Sequence, residues 1–262
     1  MKTLLLSALL ALSATASAHD LFGRGELEGD GHVVTSQREV GPFHRVVLRT
    51  QLDAEISRGD ATSVTVAVDS NLQGEITVQV EGDELVVDAE REIDPDRSSR
   101  VRITLPDLRG VELAGAGDVD IRGFSADSLG LLLSGAGDVT FRGGAHRLDA
   151  QLSGVGDLKV DLDGRAERIA VRLTGTGNVE LASGAADRLD ARVSGAGSVE
   201  AKHLVAHSAE LEVSGVGGIS ARLDGGDARF EVSGIGGIEW WGDAQVRSEE
   251  SEGMGGITHH RG

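Results

Sequence analysis

From about residue 111, apolar residues occupy every second position in short runs. Leu129, Leu131 and Leu133 form one run, Ile169, Val171 and Leu173 another, and Ala209, Leu211 and Val213 a third. A period of two marks a strand with one buried face. A second short run follows each, as in Val119 and Ile121, Val139 and Phe141, or Ile238 and Trp240. No helical period competes in this region. Between the paired runs stands a glycine phrase that recurs eight times: AGAGDV, SGAGDV, SGVGDL, TGTGNV, SGAGSV, SGVGGI, SGIGGI and EGMGGI. Its first glycines, Gly115, Gly135, Gly154, Gly175, Gly195, Gly215, Gly234 and Gly253, lie 19 to 21 residues apart.

Each unit therefore reads as strand, glycine corner, strand and a looser turn such as Arg142-Gly143-Gly144 or Asp163-Gly164. One unit cannot bury its apolar face alone. Stacking units about 4.8 Å apart builds a continuous core and pairs each strand with its equivalents above and below. The predicted fold is all-β: a parallel β-helix, or solenoid, of coils of about 20 residues. Residues 33 to 105 alternate in the same way without the phrase, for example in Val64-Val66-Val68 and Val101-Ile103-Leu105, and predict irregular coils or a β cap continuous with the rod. Arg247, Glu249 and Ser251 replace the apolar ladder in the last unit, which predicts a C-terminal cap from about Gly242.

The SGAGDV-type phrases, the opening GPFHRVVLRTQLDAEISRG, the stretch VAVDSNLQGEITVQVEGDELVV and the closing WWGDAQVRSEESEGMGGI resemble the auto-transporter adhesin head domain, or GIN domain, of bacterial envelope proteins. The resemblance covers residues 40–258. It implies a right-handed parallel β-helix on an exported, adhesin-like protein, and it carries no catalytic residue over to this chain. The domain expectation is a signal peptide at 1–18, a flexible segment at 19–39, one GIN-type domain at 40–258 with glycine coils from about 111, and a tail at 259–262.

Composition narrows the setting. Lys2, the apolar run Leu4 to Leu12 and Ala16-Ser17-Ala18 read as a secretory signal peptide with its cleavage site. The absence of cysteine excludes lipid attachment at that site and any disulfide framework. The expected location is periplasmic or secreted, with no transmembrane segment in the mature chain. A formal charge of −18 argues against nucleic acid as a partner.

Three groups of residues are candidate sites. Asp118, Asp138 and Asp157 occupy equivalent corner positions. Stacked carboxylates repel, and Ca²⁺ would relieve the repulsion; alternatively each Asp bonds its own turn. Between the glycines runs a stripe that ends in Val216, Ile235 and Met254. Facing outward it is a surface for self-association or a partner; facing inward it is corner packing. Trp241 falls on the outward side of the alternation and offers an aromatic contact. The charged columns Arg172, Arg192, Glu212, Glu231 and Lys159, Glu180, Glu200, Glu239 read as solvated faces. His259 and His260 read as tail residues. No nucleophile–base pair or phosphate loop is legible. The function expected is a non-catalytic envelope protein that binds or self-assembles, with a homo-oligomer, an envelope protein or a glycan as partner. The alternative is a polysaccharide-binding or polysaccharide-degrading β-helix.

Overall fold

The computed structural model describes residues 26–260, and the expected signal peptide lies outside them. Among the described residues there are eighteen strands. The first ten are β1 (Leu27–Glu28), β2 (Val33–Arg38), β3 (Arg45–Arg49), β4 (Asp53–Arg58), β5 (Ser63–Asp69), β6 (Ile76–Glu81), β7 (Glu84–Ala89), β8 (Ile93–Asp94), β9 (Arg100–Leu105) and β10 (Gly110–Leu113). The repeats follow as β11 (Val119–Leu133), β12 (Val139–Leu152), β13 (Leu158–Leu173), β14 (Thr176–Val193), β15 (Ala196–Val213), β16 (Val216–Val232), β17 (Ile235–Ser251) and β18 (Ile257–His260).

From β10 to β18 each strand pairs in parallel with the next along the chain. Equivalent residues stack into apolar columns. One runs Leu133, Leu152, Leu173, Val193, Val213 and Val232, and another Val119, Val139, Leu158, Val179, Val199 and Ile219. All of these side chains are buried. They belong to one cluster that extends the length of the rod. The expected all-β parallel solenoid is the observed fold.

Two sequence expectations change. The looser turns are not turns. Arg142-Gly143-Gly144 and Asp163-Gly164 lie inside β12 and β13, at shifts of register. Two consecutive outward residues bend the chain at Lys202-His203 and at His207-Ser208, and Leu204 and Ala206 between them point inward. Each coil thus has a short third side, recessed with small apolar residues such as Ala145, Ala166 and Ala186. The segment expected to be flexible is also structured over residues 27–38. β1 pairs with β8, and β2 lies antiparallel to β5. The buried Asp69 carboxylate holds that region: it accepts the amides of Gly31 at 2.7 Å and Asp96 at 2.8 Å.

The irregular N-terminal region stacks out of chain order. β3 and β4 form one coil, with β10 and the start of β11 on one side of it. On the other side lie β7 and β9, although they follow β3 and β4 in sequence. β6 on β7 and β5 on β9 are antiparallel and close that end. In the β3–β4 coil, Thr50 and Leu52 stand where later coils carry the two glycines, and both are fully buried.

At the other end the ladder continues past the expected cap boundary. β17 pairs with β16 as far as Ser251, and β18 stacks on Ile238 to Trp241. Glu249 lies over Phe230 and Ser251 over Val232. The polar substitutions therefore end the buried core, while the strand pairing goes on.

Candidate functional site

The glycine corners form one continuous edge of the rod, and steric constraint explains their sequence. A Cβ on Gly135, Gly154, Gly175, Gly195, Gly215 or Gly234 would overlap the carbonyl oxygen of the equivalent glycine one coil earlier. The second glycines meet the same obstacle, and from Gly137 to Gly236 they also hold positive φ, for example 138° at Gly177 and 149° at Gly197. Backbone passes against backbone here, so neither position accepts a side chain.

The residue between the glycines has nowhere to point but outward. Ala116, Ala136, Val155, Thr176, Ala196, Val216, Ile235 and Met254 stack in register and all are exposed. Val216 is 55% exposed, Ile235 50% and Met254 74%. The alternative left open by the sequence is decided in favour of an outward ridge.

The aspartates lie on the same edge, two residues beyond the ridge. They do not bond their own turns. Asp118 Oδ1 accepts the amide of Asp138 at 3.0 Å, Asp138 Oδ1 that of Asp157 at 2.9 Å, and Asp157 Oδ1 that of Asn178 at 2.9 Å. The column starts one coil earlier, where Asp53 Oδ1 accepts the amide of Asp118 at 2.9 Å. Beyond Asn178 the corner residues pair by backbone alone, Asn178 with Ser198, Ser198 with Gly218 and Gly218 with Gly237. Among the described residues no three His, Cys, Asp or Glu side chains are grouped so as to hold a metal ion.

Where aspartate gives way to glycine, the edge opens into a groove of about 630 Å³. Gly218, Gly237 and Gly256 form its floor, and Lys202, Glu239 and Trp241 also line it. Val216, Ile235 and Met254 stand one residue before the lining glycines Gly217, Gly236 and Gly255. Of the four candidate interface residues, Trp241 lines the groove and the other three adjoin its lining glycines in sequence, with the aspartates further along the same edge. Sequence reasoning missed the groove itself, because its signal is the loss of side chains from one column. It also missed the histidines. His259 stacks on Trp240 with ring centroids 3.7 Å apart, and His260 on Trp241 at 4.6 Å. The only sequence signal was that the HH and WW pairs stand at equivalent places in successive units. The outward charges form ion pairs between neighbouring coils, such as Lys159–Glu180 at 2.7 Å and Arg192–Glu212 at 3.1 Å.

A family model described as "Putative auto-transporter adhesin, head GIN domain" matches residues 42–182 and 159–244. Among solved structures the chain is similar to a "putative adhesin" from Bacteroides fragilis, at 23% identity over 89% of this chain and 100% of that one, with a TM-score of 0.68. A "putative adhesin" from Parabacteroides merdae shares 18% identity over 90% and 99% of the two chains, with a TM-score of 0.79. A protein from Parabacteroides distasonis titled a "Putative lipid binding protein" shares 20% identity over 90% and 100%, with a TM-score of 0.78. At these identities the likeness is one of fold. Among curated proteins none matches the chain.

Proposed function

Because this chain belongs to the auto-transporter adhesin head GIN domain family, we propose that it is a non-catalytic, exported binding module that works through its glycine-corner edge at the cell envelope. The observation that carries the reading is the exposed ridge of Val216, Ile235 and Met254 beside the groove that Trp241 and the corner glycines line. Exposed apolar side chains in line, next to a concave floor, mark a recognition surface. The rod's other outward columns are charged and largely paired with each other, which suits solvent. The sequence pattern of a secretory signal supports export.

The aspartate column supports a structural role in this reading. Each carboxylate holds the next coil's corner amide, and Ca²⁺ would have to compete with that bond. Asp138→Asn keeps the acceptor and is expected to change stability little. Asp138→Ala leaves the Asp157 amide without it, at a cost of about 1 kcal/mol. Chelator is expected to leave the melting temperature unchanged; a chelator-dependent fall would establish the calcium alternative.

Saturable binding of the labelled mature protein to isolated bacterial envelopes tests the main proposal. Ile235→Glu lies on the exposed ridge and is expected to keep the fold while abolishing binding. Undiminished binding by this variant would move the recognition surface elsewhere on the rod.

A further inference from the structure

Along the corner edge, the size of the outward ridge residue and the size of the residue two places on are related coil by coil. Ala116 goes with Asp118, Ala136 with Asp138, Thr176 with Asn178 and Ala196 with Ser198. Val216 goes with Gly218, Ile235 with Gly237 and Met254 with Gly256. Where the ridge is low the second column is filled, and where the ridge is tall that column is empty. Val155, beside Asp157, departs from the rule.

Resting on the reading of this edge as a binding surface, we propose that its occupant is the same edge of a second copy, the two rods lying parallel and in register about a two-fold axis that runs along them. Such an axis exchanges the two columns. It sets each coil's ridge residue against the second column of the same coil in the other copy. Val216, Ile235 and Met254 then enter the partner's glycine floor, and the partner's ridge enters this one. An axis across the rods would set ridge against ridge and leave both grooves empty.

Charge follows the same symmetry. Beyond the groove, exposed Arg222 stands in register with Trp241. Beyond the ridge, on the opposite flank, Glu212, Glu231 and Glu250 stack in one column. Among the described residues Arg222, Glu231 and Glu250 have no ion-pair partner, although most arginines of the rod do. The two-fold axis brings Arg222 of one copy toward the glutamate column of the other.

The contact is small. Seven steps of about 4.8 Å give an edge roughly 34 Å long, and a strip of that length one or two side chains wide falls short of the roughly 800 Å² per partner of a standard interface. The dimer is therefore weak and concentration-dependent. The formal charge of −18 on each copy opposes it, so added salt strengthens association until the rim pairs are screened as well.

Sedimentation of the mature protein over a concentration series tests the proposal. A reversible monomer–dimer equilibrium is expected, abolished by Ile235→Glu and by Gly256→Leu. A Cβ on Gly256 meets nothing within 4 Å, so that variant fills the groove without straining the fold. Arg222→Glu is expected to weaken the dimer at least threefold, and adding Glu231→Arg to it to restore the affinity. The chain has no cysteine, so a spin label on Ala116→Cys reports orientation: parallel rods place the two labels close together, whereas antiparallel rods separate them by more than the length of the edge. A protein that stays monomeric at millimolar concentration overturns the proposal, as does a dimer indifferent to both groove variants or one with widely separated labels. If a monomer still loses envelope binding on Ile235→Glu, the edge remains a binding surface and only the self-pairing is refuted. If a dimer forms without any envelope binding, the reverse holds.

Discussion

A glycine in this rod is constrained in one of two ways, and the difference is measurable. At Gly197 both constraints act: φ is 149°, and a Cβ would overlap the Gly177 carbonyl. Backbone atoms do not yield as a flexible side chain does. Gly197→Ala is expected to cost about 3 kcal/mol or more in denaturant unfolding, combining backbone strain with overpacking. At Gly164 φ is 88° but nothing lies within 4 Å of an added Cβ. Gly164→Ala carries only the backbone term, about 1–2 kcal/mol. Equal costs at the two positions would show that conformation, and not close approach, sets the corner sequence.

At the scale of elements, pairing between β4 and β9 is reinforced by a surface cluster. Glu55 on β4 bridges Arg100 and Arg102 on β9, at 2.9 and 3.1 Å. The hydrogen bond from Arg100, helped by Arg102, holds the Glu55 carboxyl below its ordinary value of 4.5, with partial desolvation opposing. A carboxyl depressed in the folded state contributes stability that is full above its unfolded pKa and is lost as the pH falls through the folded value. Glu55→Gln is therefore expected to lower stability at neutral pH by about 0.2–1 kcal/mol, as exposed pairs do. It should make no difference once the pH is well below 4.5. A loss that persists in acid would point to packing, not charge. The C-terminal elements show a different device: the Trp–His stacks hold β18 against β17 where the aliphatic columns have run out.

For the whole molecule, stability accumulates by stacking, so position along the rod matters more than local sequence. β12 to β15 are paired on both sides, with breaks only at the third side of each coil. β6 and β18 are paired on one side only. Native-state hydrogen exchange is expected to be slowest in β12 to β15 and to quicken toward both ends. The N-terminal end should exchange more slowly than the C-terminal end, because antiparallel strands and the buried Asp69 close it. Uniform exchange along the rod would mean that the solenoid opens as a single unit.

The coil architecture was legible because it is written locally and repeatedly. Alternation such as Leu129-Leu131-Leu133 specifies a strand face, and the recurring phrase specifies the corner and the stacking interval. The same repetition exposed the family resemblance and the candidate columns. What the chain alone left open were matters of direction and of distant contact. The outward turn of Val216, Ile235 and Met254 follows from backbone crowding between glycines about 20 residues apart. The aspartates bond the next coil, across 19 to 21 residues of chain. Placing β7 and β9 beside β3 and β4, on the side away from β10, depends on pairing across 39 to 47 residues. A strand's alternation says that it has a buried face, but not which neighbour it will lie against. Only the tertiary structure decided that, since the stacking energy belongs to pairs of coils and not to either one.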